Sequence, residues 1–360
     1  MTSTESEPES GFTSVEICAG AGGQALGLHR AGFKHHALIE IDENAVTTLK
    51  ANTADWEGCR VLQRDLTEFD VAELGLAYGE LSLLAGGVPC PPFSAAGKQL
   101  GQDDERDLFP TMLKMVEDLH PKAVMIENVR GLLEPPEKFR EYRENTIQRR
   151  LKDAGYEVCM WEVLEAWHFG VPQLRPRAIL VALLPEYAPF FVPFKPASEV
   201  AEDEISKVTV GQALEETMRH RFEQSSAPGA EEAFKKWFAA AATDIAPTLV
   251  GGSKKHGGAD LGPTRAKKAW GKLGVCGMGV ANDWDKIADE DRDLFAAAGP
   301  KLTVEQAAII QGFPPSWQFR GRKTAAYRQV GNAFPPPVAE AVGLRIRAAL
   351  EQKKITGETA

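Results

Sequence analysis

Short apolar runs alternate along residues 13–184 with segments whose apolar positions repeat at helical spacing. Several of these runs are compact and apolar throughout, which is typical of strands covered on both faces of a parallel sheet. The order of strand, helix, strand, helix therefore predicts a doubly wound, Rossmann-like α/β fold. The predicted strands are 13–18, 37–41, 80–85, 122–126, 156–164 and 178–184, and the predicted helices are 22–31, 43–52, 106–119 and 137–154.

The alternation stops in the second half of the chain. Segment 187–196 is rich in Pro and Phe, and segment 251–279 is so rich in glycine that loops and short strands are expected there. Helical spacing returns in 302–311, where Thr303 is a candidate N-cap, and in 336–352. We predict a disordered tail at 1–10, a catalytic cofactor-binding domain at 11–186, an irregular inserted domain at 187–300, and C-terminal helices at 301–360 that complete the catalytic domain.

The composition argues against a membrane protein and against a disulfide framework. Hydrophobic residues make up 43% of the chain and charged residues 26%, close to ordinary globular usage. No apolar run approaches the roughly 20 residues that cross a bilayer, and the Glu- and Ser-rich start is not a signal peptide. The five cysteines are scattered without a C-x-x-C pair, which argues against a zinc site and fits a reducing cytoplasm.

Charge is distributed unevenly along the chain. The net charge of −10 argues against a small basic nucleic-acid binder. Between residues 253 and 273, however, six basic residues stand against the single acid Asp260, and a second basic cluster follows at 320–328. Such clusters are either solvated faces or contacts to phosphate. The candidate phosphate contacts are Lys254, Lys255, Arg265, Lys267 and Lys268.

A glycine-rich turn joins the first predicted strand to the first helix. Residues Gly20 to Ala25 have the pattern G-x-G-x-x-A, and such glycines permit a tight turn and a close approach of a ligand to the backbone. Glu40 ends the second strand, where an acid can bind the two hydroxyls of a ribose. Asp65 follows at the next strand end, as an acceptor for an adenine amino group or as a turn aspartate. These residues predict a nucleoside cofactor, either NAD or S-adenosylmethionine.

A cysteine flanked by prolines follows the strand at 80–85. Pro89, Pro91 and Pro92 fix φ and remove N–H donors, so this stretch neither extends the strand nor begins a regular helix. Cys90 is therefore expected on a stiff loop at the carboxyl edge of the sheet, where open α/β sheets bind their ligands. The alternative role, a small buried apolar residue, does not explain why three prolines flank this cysteine at the edge of the sheet. A nucleophilic thiol is favoured.

Two further charged segments are predicted at the same edge. Glu127 follows the apolar run 123–126, where it is either a catalytic carboxyl or a capping acid. Arg175 and Arg177 precede the strand at 178–184, and in an extended chain they point the same way. Two guanidinium groups on one side suit a carboxylate, a phosphate or a base carbonyl. A surface salt-bridge pair is the alternative.

The order of these motifs resembles that of the bacterial DNA cytosine-C5 methyltransferases over nearly the whole chain outside the insert. Thr248-Leu249 in the insert resembles the Thr-Leu pair of that family's target-recognition domain. Two positions depart from the family: Pro91 stands where many members have Gln or Asn, and Ala333 where many have Ser. Neither departure removes a reacting group. The matching segments are 17–27, 89–90, 127–129, 173–177, 302–314 and 329–333.

The resemblance implies S-adenosylmethionine as the cofactor, duplex DNA as the substrate and a methyltransferase sheet with an inserted target-recognition domain. Cys90 would add to carbon 6 of an extruded cytosine, Glu127 would support N3, and Arg177 would hold O2. Arg175 would order the carboxylate network, and Ser94 would contact DNA. The cofactor contacts would be Cys18, Ala19, Gly20, Gly22, Gly23, Gln24, Glu40, Ile41, Asp65, Leu66, Pro89, Asn332 and Ala333.

Three other functions compete with this interpretation. A tRNA cytosine-C5 methyltransferase has the same catalytic motifs, but that branch usually carries a Cys-Phe-Thr element that is absent from this insert. A non-catalytic DNA-binding regulator leaves the intact Cys90 and Glu127 unexplained, and a nicotinamide dehydrogenase leaves the cysteine without a role. We expect a monomer. The recognition sequence, the base that removes the carbon-5 proton, and a separately acting restriction endonuclease stay open.

Overall fold

The fold is built on one mixed β-sheet. The computed structural model describes residues 11–89, 107–201, 205–251, 259–282 and 289–358. Its strands are β1 (Thr13–Ile17), β2 (Lys34–Glu40), β3 (Arg60–Gln63), β4 (Leu83–Gly86), β5 (Ala123–Val129), β6 (Glu157–Glu165) and β7 (Pro176–Leu183). They lie in the order β3-β2-β1-β4-β5-β7-β6. β1 to β5 pair in parallel, and β7 runs antiparallel to both of its neighbours.

Helices connect the strands and form most of the second half. A π-helical segment, Arg143–Gln148, joins α4 to α5. The helices are α1 (Gly23–Arg30), α2 (Glu43–Asn52), α3 (Phe109–Leu119), α4 (Arg140–Tyr142), α5 (Arg149–Asp153), α6 (Val210–Glu223), α7 (Ala230–Ala241), α8 (Thr264–Lys272), α9 (Glu290–Asp293), α10 (Val304–Ile310), α11 (Lys323–Asn332) and α12 (Pro336–Glu358).

Strand β4 and residues Ala123–Ile126 of β5 are free of polar side chains because both faces of the sheet are covered. In β4, Leu83 and Ala85 contact the core under α1 and α12, whereas Leu84 contacts the core under α3 and α5. β5 alternates in the same way between Met125 and Ile126. Successive side chains of a strand point to opposite faces, so a strand buried on both sides needs an unbroken apolar run. The predicted doubly wound α/β sheet is confirmed.

The order of the strands fixes where a ligand is bound. The chain runs outward from β1 to β2 and β3 on one side, and then returns to β4 and β5 on the other. The loops that follow β1 and β4 diverge at this reversal and leave a crevice at the carboxyl edge of the sheet. The glycine-rich turn follows β1, and Gly87 to Pro89 follow β4. Both predicted motifs therefore lie at the crevice.

The second half of the chain forms a separate apolar core and then returns to the sheet. Buried residues of α6, α7, α8, α10 and α11 share this core. α12 instead lies against α1 beneath the sheet. The two helices cross closely at Gly27, where an added Cβ would be 2.4 Å from the carbonyl oxygen of Pro336. The boundaries of the inserted domain stay a prediction.

The structure differs from the sequence prediction in three places. The segment Glu127-Asn128-Val129 forms the end of β5 rather than following it. The glycine-rich stretch 251–279, where loops and short strands were expected, contains α8. The short strand β3 precedes Asp65, where a strand end was expected, but it has no compact apolar run and its bounds were not predicted. The predicted cap is confirmed, because the Thr303 side chain accepts a hydrogen bond from the backbone N–H of Gln306 in a capping box.

None of the helices among the described residues combines the length and the hydropathy needed to span a bilayer.

Candidate active site

A cavity of about 390 Å³ opens at the carboxyl ends of β1 and β4. It extends from the glycine-rich turn to Glu127, and α11 forms its far wall. A smaller cavity of about 250 Å³ adjoins it and shares Cys18, Glu40 and Pro89 with it. Predicted cofactor contacts in the larger cavity are Cys18, Ala19, Gly20, Gly23, Gln24, Glu40, Pro89, Asn332 and Ala333, and the smaller one adds Ile41, Asp65 and Leu66.

The glycine-rich turn needs its glycines for two different reasons. Gly20 and Gly22 have φ of 53° and 85°, in the left-handed region, where a side chain would be strained. A Cβ at Gly23 would be 2.1 Å from the carbonyl oxygen of Phe334. The sequence predicted that a ligand approaches the backbone closely at this turn. At Gly23 the close neighbour is the protein's own backbone at Phe334. It brings the loop after α11 against the start of α1.

Glu40 is held in place by backbone amides. Its Oε2 accepts a hydrogen bond from the N–H of Gly20 at 2.7 Å, and its Oε1 accepts from the N–H groups of Ile41 and Asp42, both at 2.8 Å. These bonds fix the carboxylate at the junction of the two cavities. A carboxylate has about four acceptor positions, so capacity remains for the two hydroxyls of a ribose.

The smaller cavity has an apolar wall and one carboxylate. Ile41 is 60% exposed although it is a large apolar residue, which suits a flat ring stacked on it. Asp65 accepts hydrogen bonds through Oδ1 from the backbone N–H and hydroxyl of Thr67, at 2.9 and 2.8 Å. These bonds lower the pKa of Asp65. The turn role considered for this aspartate is therefore present, and the same carboxylate lines the cavity.

Glu127, which lines the larger cavity, forms an ion pair with Arg177. Glu127 Oε1 lies 2.8 Å from Arg177 Nε, and each side chain is only 14% exposed. Burial raises the pKa of Glu127, although the positive charges of Arg177 and Arg175 act to lower it. A Cβ at Gly87 would be 3.0 Å from Glu127 Oε2, so glycine leaves room for this carboxyl. Glu127 keeps a proton to higher pH than an ordinary glutamic acid.

Asn128 follows Glu127 in β5 and binds the segment that precedes the predicted nucleophile. Its Nδ2 donates a hydrogen bond to the carbonyl oxygen of Val88 at 2.9 Å, and the N–H of Leu108 donates to the carbonyl of Pro89 at 3.3 Å. β5 thus holds the chain directly before Cys90 beside Glu127. Cys90 and Ser94 themselves lie outside the described residues, as do Lys254 and Lys255.

Arg175 differs from its predicted role. The side chain is 1% exposed, and its Nη atoms donate to the carbonyl oxygens of Leu249 at 2.7 Å and of Gly331 and Ala333 at 2.8 Å each. The sequence predicted that Arg175 orders the Glu127 carboxylate. Its hydrogen bonds go instead to backbone carbonyl groups. A buried guanidinium takes as many acceptors as it can reach, and here the acceptors belong to the insert and to α11. Arg175 joins three parts of the chain behind the site.

A buried glutamine pair strengthens the same junction. Gln173 Nε2 donates to Gln311 Oε1 at 2.6 Å, and Gln173 Oε1 accepts from the N–H of Leu249 at 2.7 Å. Gln311 in turn donates to the carbonyl oxygen of Ala333. The hydroxyl of Thr248 donates to the carbonyl of Leu174 at 2.5 Å. The Thr-Leu pair of the insert is therefore hydrogen-bonded to residues 173–174, which directly precede Arg175.

The four cysteines among the described residues are poor nucleophiles. Cys18 lines the cavity, but burial and the neighbouring acids Glu40 and Glu16 raise the pKa of its thiol to about 12. Burial also raises the pKa of Cys59 and Cys159 to about 11 each, and Cys276 is buried. Because the thiolate is the reactive form, Cys18, Cys59 and Cys159 are poor nucleophiles at neutral pH, and burial keeps Cys276 away from a substrate.

The candidate phosphate contacts on α8 are not equivalent. Arg265 and Lys268 are exposed. Lys267 is 25% exposed at its side chain, and its Nζ lies 2.8 Å from Asp260 Oδ2. Its charge is therefore already neutralised within the protein. Arg265 and Lys268 remain the candidate phosphate contacts on α8.

Several charged residues near the site were not among the predicted site residues, and Asp42 and Arg64 are two of them. Glu16 and Arg328 line the larger cavity. Glu165 ends β6, and burial raises its pKa to about 7 while the charges of Arg130 and Arg177 act to lower it. Arg328 could have been found from its spacing, since it precedes Asn332 by one helical turn. Glu16 stands inside a strand, and Glu165 depends on the pairing of β6 with β7, so neither follows from local sequence.

Comparison with known proteins shows the family to which this chain is similar. The sequence model described as C-5 cytosine-specific DNA methylase matches residues 12–348. The chain is 52% identical over 340 residues to Type II methyltransferase M.NaeI of Lentzea aerocolonigenes, covering 94% of this chain and 75% of that protein. It is 48% identical over 347 residues to Type II methyltransferase M.NgoMIV of Neisseria gonorrhoeae, covering 95% and 99%.

Solved structures show the same fold at low sequence identity. A putative DNA modification methyltransferase encoded within an Escherichia coli prophage superposes with a TM-score of 0.58 at 20% identity, covering 96% of this chain and 99% of that one. Dnmt2 methyltransferase of S. pombe superposes with a TM-score of 0.58 at 18% sequence identity, covering 95% of this chain and 98% of that one. With the family match across nearly the whole sequence, the chain belongs to the C-5 cytosine-specific DNA methylase family and is a DNA (cytosine-5-)-methyltransferase.

Proposed function

We propose that the chain methylates an extruded cytosine in a specific duplex sequence, with S-adenosylmethionine bound in the two joined cavities and Cys90 as the nucleophile. The observation that carries this proposal is the extent of the larger cavity. It reaches from the glycine-rich turn to Glu127 and Pro89, so one space adjoins the proposed cofactor contacts, the proton donor and the residue that precedes the thiol.

The residues of the two cavities fit S-adenosylmethionine. Ile41 and Asp65 suit an adenine ring and its amino group, and Glu40 at the junction suits the ribose hydroxyls. The carboxylates of Glu40 and Asp42 also line the larger cavity and suit the positive charges of the ligand's sulfonium and ammonium groups. When bound, the cofactor supplies an electrophilic methyl group. NAD carries a negatively charged pyrophosphate that these acids would repel.

The protein's own groups would raise the reactivity of the base. Carbon 5 of cytosine is a poor nucleophile, and addition of the Cys90 thiolate to carbon 6 makes it an enamine carbon. Glu127, whose pKa is raised by burial, would donate a proton to N3 as electron density accumulates on the ring. Arg177 would hold O2. After methylation a base takes the carbon-5 proton, the electron pair re-forms the ring double bond, and the thiolate leaves.

Duplex DNA would be bound by the insert and the carboxyl edge of the sheet. The target base must leave the stack to reach carbon 6, at a cost of a few kcal/mol. The hydrogen bonds of Thr248, Leu249 and Arg175 connect the insert to the segment that carries Arg177. We propose that the insert reads the sequence, that the enzyme acts as a monomer, and that it serves a restriction-modification system like its Type II relatives, with the endonuclease acting separately.

Methylation of DNA in cells tests the whole proposal. We expect bisulfite sequencing of DNA from cells that express the chain to show one cytosine converted to 5-methylcytosine in a fixed sequence context. The matched control is the Cys90→Ser variant, in which the modification should be absent. Methylation without a fixed context would contradict sequence reading by the insert. Modified cytosine in RNA alone would contradict the DNA substrate.

The exposed lysine of α8 gives a test of phosphate binding. Replacing Lys268 with alanine should reduce the slope of log K against log salt by about 0.9, because one fewer counterion is released. The affinities for cognate and random duplexes should fall alike. Lys267→Ala is the matched control on the same helix: Asp260 already takes its charge, so its slope should change less. Equal slopes for wild type and Lys268→Ala would show that Lys268 lies on a solvated face of α8 and does not contact phosphate.

A further inference from the structure

Three residues that line the larger cavity each have a buried side-chain polar atom without a hydrogen-bond partner. Among the described residues, nine buried side-chain N or O atoms have no hydrogen-bond partner, and three of them belong to residues that line this one cavity. Buried polar groups are nearly always paired, so an exception needs an explanation. The three atoms are Glu16 Oε2, Gln24 Nε2 and Arg328 Nε.

Two of these three atoms are hydrogen-bond donors. Gln24 is 4% exposed and lies in the first turn of α1, where the helix dipole favours negative charge. Arg328 lies on α11. The residues of α11 that line the cavity are Ala325, Arg328, Gln329 and Asn332, which is the spacing of one helix face, while the opposite face packs into the core of the insert.

Arg328 is also the one cation among the described residues that line the cavity. Most of the acids there are already bonded: Glu40 and Asp42 accept from backbone N–H groups, and Glu127 pairs with Arg177. No ion pair or side-chain hydrogen bond of Arg328 is found in the part of the chain that the structure describes. A ligand bound in the cavity can therefore supply a counter-charge to Arg328.

We infer that Arg328 and Gln24 form the site for the α-carboxylate of the cofactor's methionine moiety. This inference rests on the proposed function, and it adds Arg328 and a chemical role to the predicted contacts. A guanidinium and an amide N–H are complementary to a carboxylate. The nearby acids would repel a free anion, so the site favours a carboxylate carried by a cationic ligand, as in an amino acid.

Binding of two ligands that differ only in the carboxylate tests this assignment. The probes are S-adenosylhomocysteine and its decarboxylated analogue, and isothermal titration calorimetry measures both on the full chain. Wild type should bind S-adenosylhomocysteine about 10- to 100-fold more tightly, the factor expected for hydrogen bonds between charged groups. In Arg328→Met this ratio should fall towards one, because only the carboxylate-bearing ligand loses affinity.

Three further variants separate recognition from structure. Gln24→Leu should lower the ratio by about tenfold at most, since one donor to a charged acceptor is removed, and it provides the test if Arg328→Met does not fold. Arg328→Lys keeps the charge without the planar fork and should restore part of the ratio. Arg322→Met, which removes an exposed cation directly before α11, should leave the ratio at its wild-type value.

Specific results would overturn the inference. A wild-type ratio near one means that the carboxylate is not recognised, although the proposed cofactor stands because both ligands bind. Equal weakening of both ligands in Arg328→Met means that Arg328 only shapes the cavity. Loss of duplex affinity with unchanged ligand affinities assigns Arg328 to DNA instead. If wild type binds neither ligand, the proposed cofactor fails together with this site.

Discussion

Replacing Cys90 with serine should abolish formation of a covalent protein–DNA complex. The assay uses a duplex whose target cytosine carries fluorine at carbon 5, which blocks the final proton abstraction and traps the adduct. Wild type with S-adenosylmethionine should give a band that survives denaturation. Removal of a catalytic nucleophile costs on the order of a millionfold in rate, and a serine hydroxyl is far less ionised than a thiol at neutral pH. The variant should therefore give no band.

The other cysteines provide the control for this experiment. Burial raises the pKa of Cys159 to about 11, so its thiol is protonated at neutral pH and Cys159→Ser should trap DNA as wild type does. Cys90→Ser should still bind S-adenosylhomocysteine, since the described cavity residues are unchanged. An adduct of wild-type yield in Cys90→Ser would show that another residue attacks carbon 6.

The sheet was predicted well from the sequence because burial of a strand on both faces leaves a pattern of apolar residues within the strand itself. β4 and β5 are buried on both faces, so their apolar runs stand out from the chain around them. The bounds of β3 were missed because its four residues, Arg60–Gln63, are half-buried or exposed. The end of β5 was placed too early at Ile126, because Glu127 and Asn128 are polar. Their strand conformation comes from pairing with β7, which a single sequence does not display.

The site was predicted less evenly than the fold. The sequence predicted Glu127, Arg177 and the glycine-rich turn at one edge. The carboxyl ends of parallel strands meet there, and the start of antiparallel β7, which carries Arg177, lies beside the end of β5. Arg175 was misassigned because its partners, Leu249 and Gly331, are distant in sequence and were in no predicted element. Backbone carbonyls leave no pattern in a sequence, so a buried arginine that binds them cannot be distinguished there from one that binds a carboxylate.

Replacing Glu127 with glutamine should slow adduct formation by about 100- to 10,000-fold, the usual contribution of a positioned acid or base. The amide keeps the shape of the carboxyl but cannot transfer a proton to N3. Adduct formation by wild type should pass through a maximum with pH. The thiolate of Cys90 is lost at low pH. The proton of Glu127, although burial raises the pKa of this carboxyl, is lost as pH rises through that pKa.

Single-turnover trapping with the fluorocytosine duplex, measured across the pH range in which both groups ionise, separates this role from a structural one. The rate of Glu127→Gln should only rise with pH and then level off, because the group responsible for the descending limb has been removed. Glu165→Gln is the matched control, since Glu165 has a pKa of about 7 and its charge also interacts with Arg177. That variant should keep the maximum. If Glu165→Gln loses the descending limb and Glu127→Gln retains it, then the proton at N3 comes from Glu165 and the assignment of Glu127 as the acid is wrong.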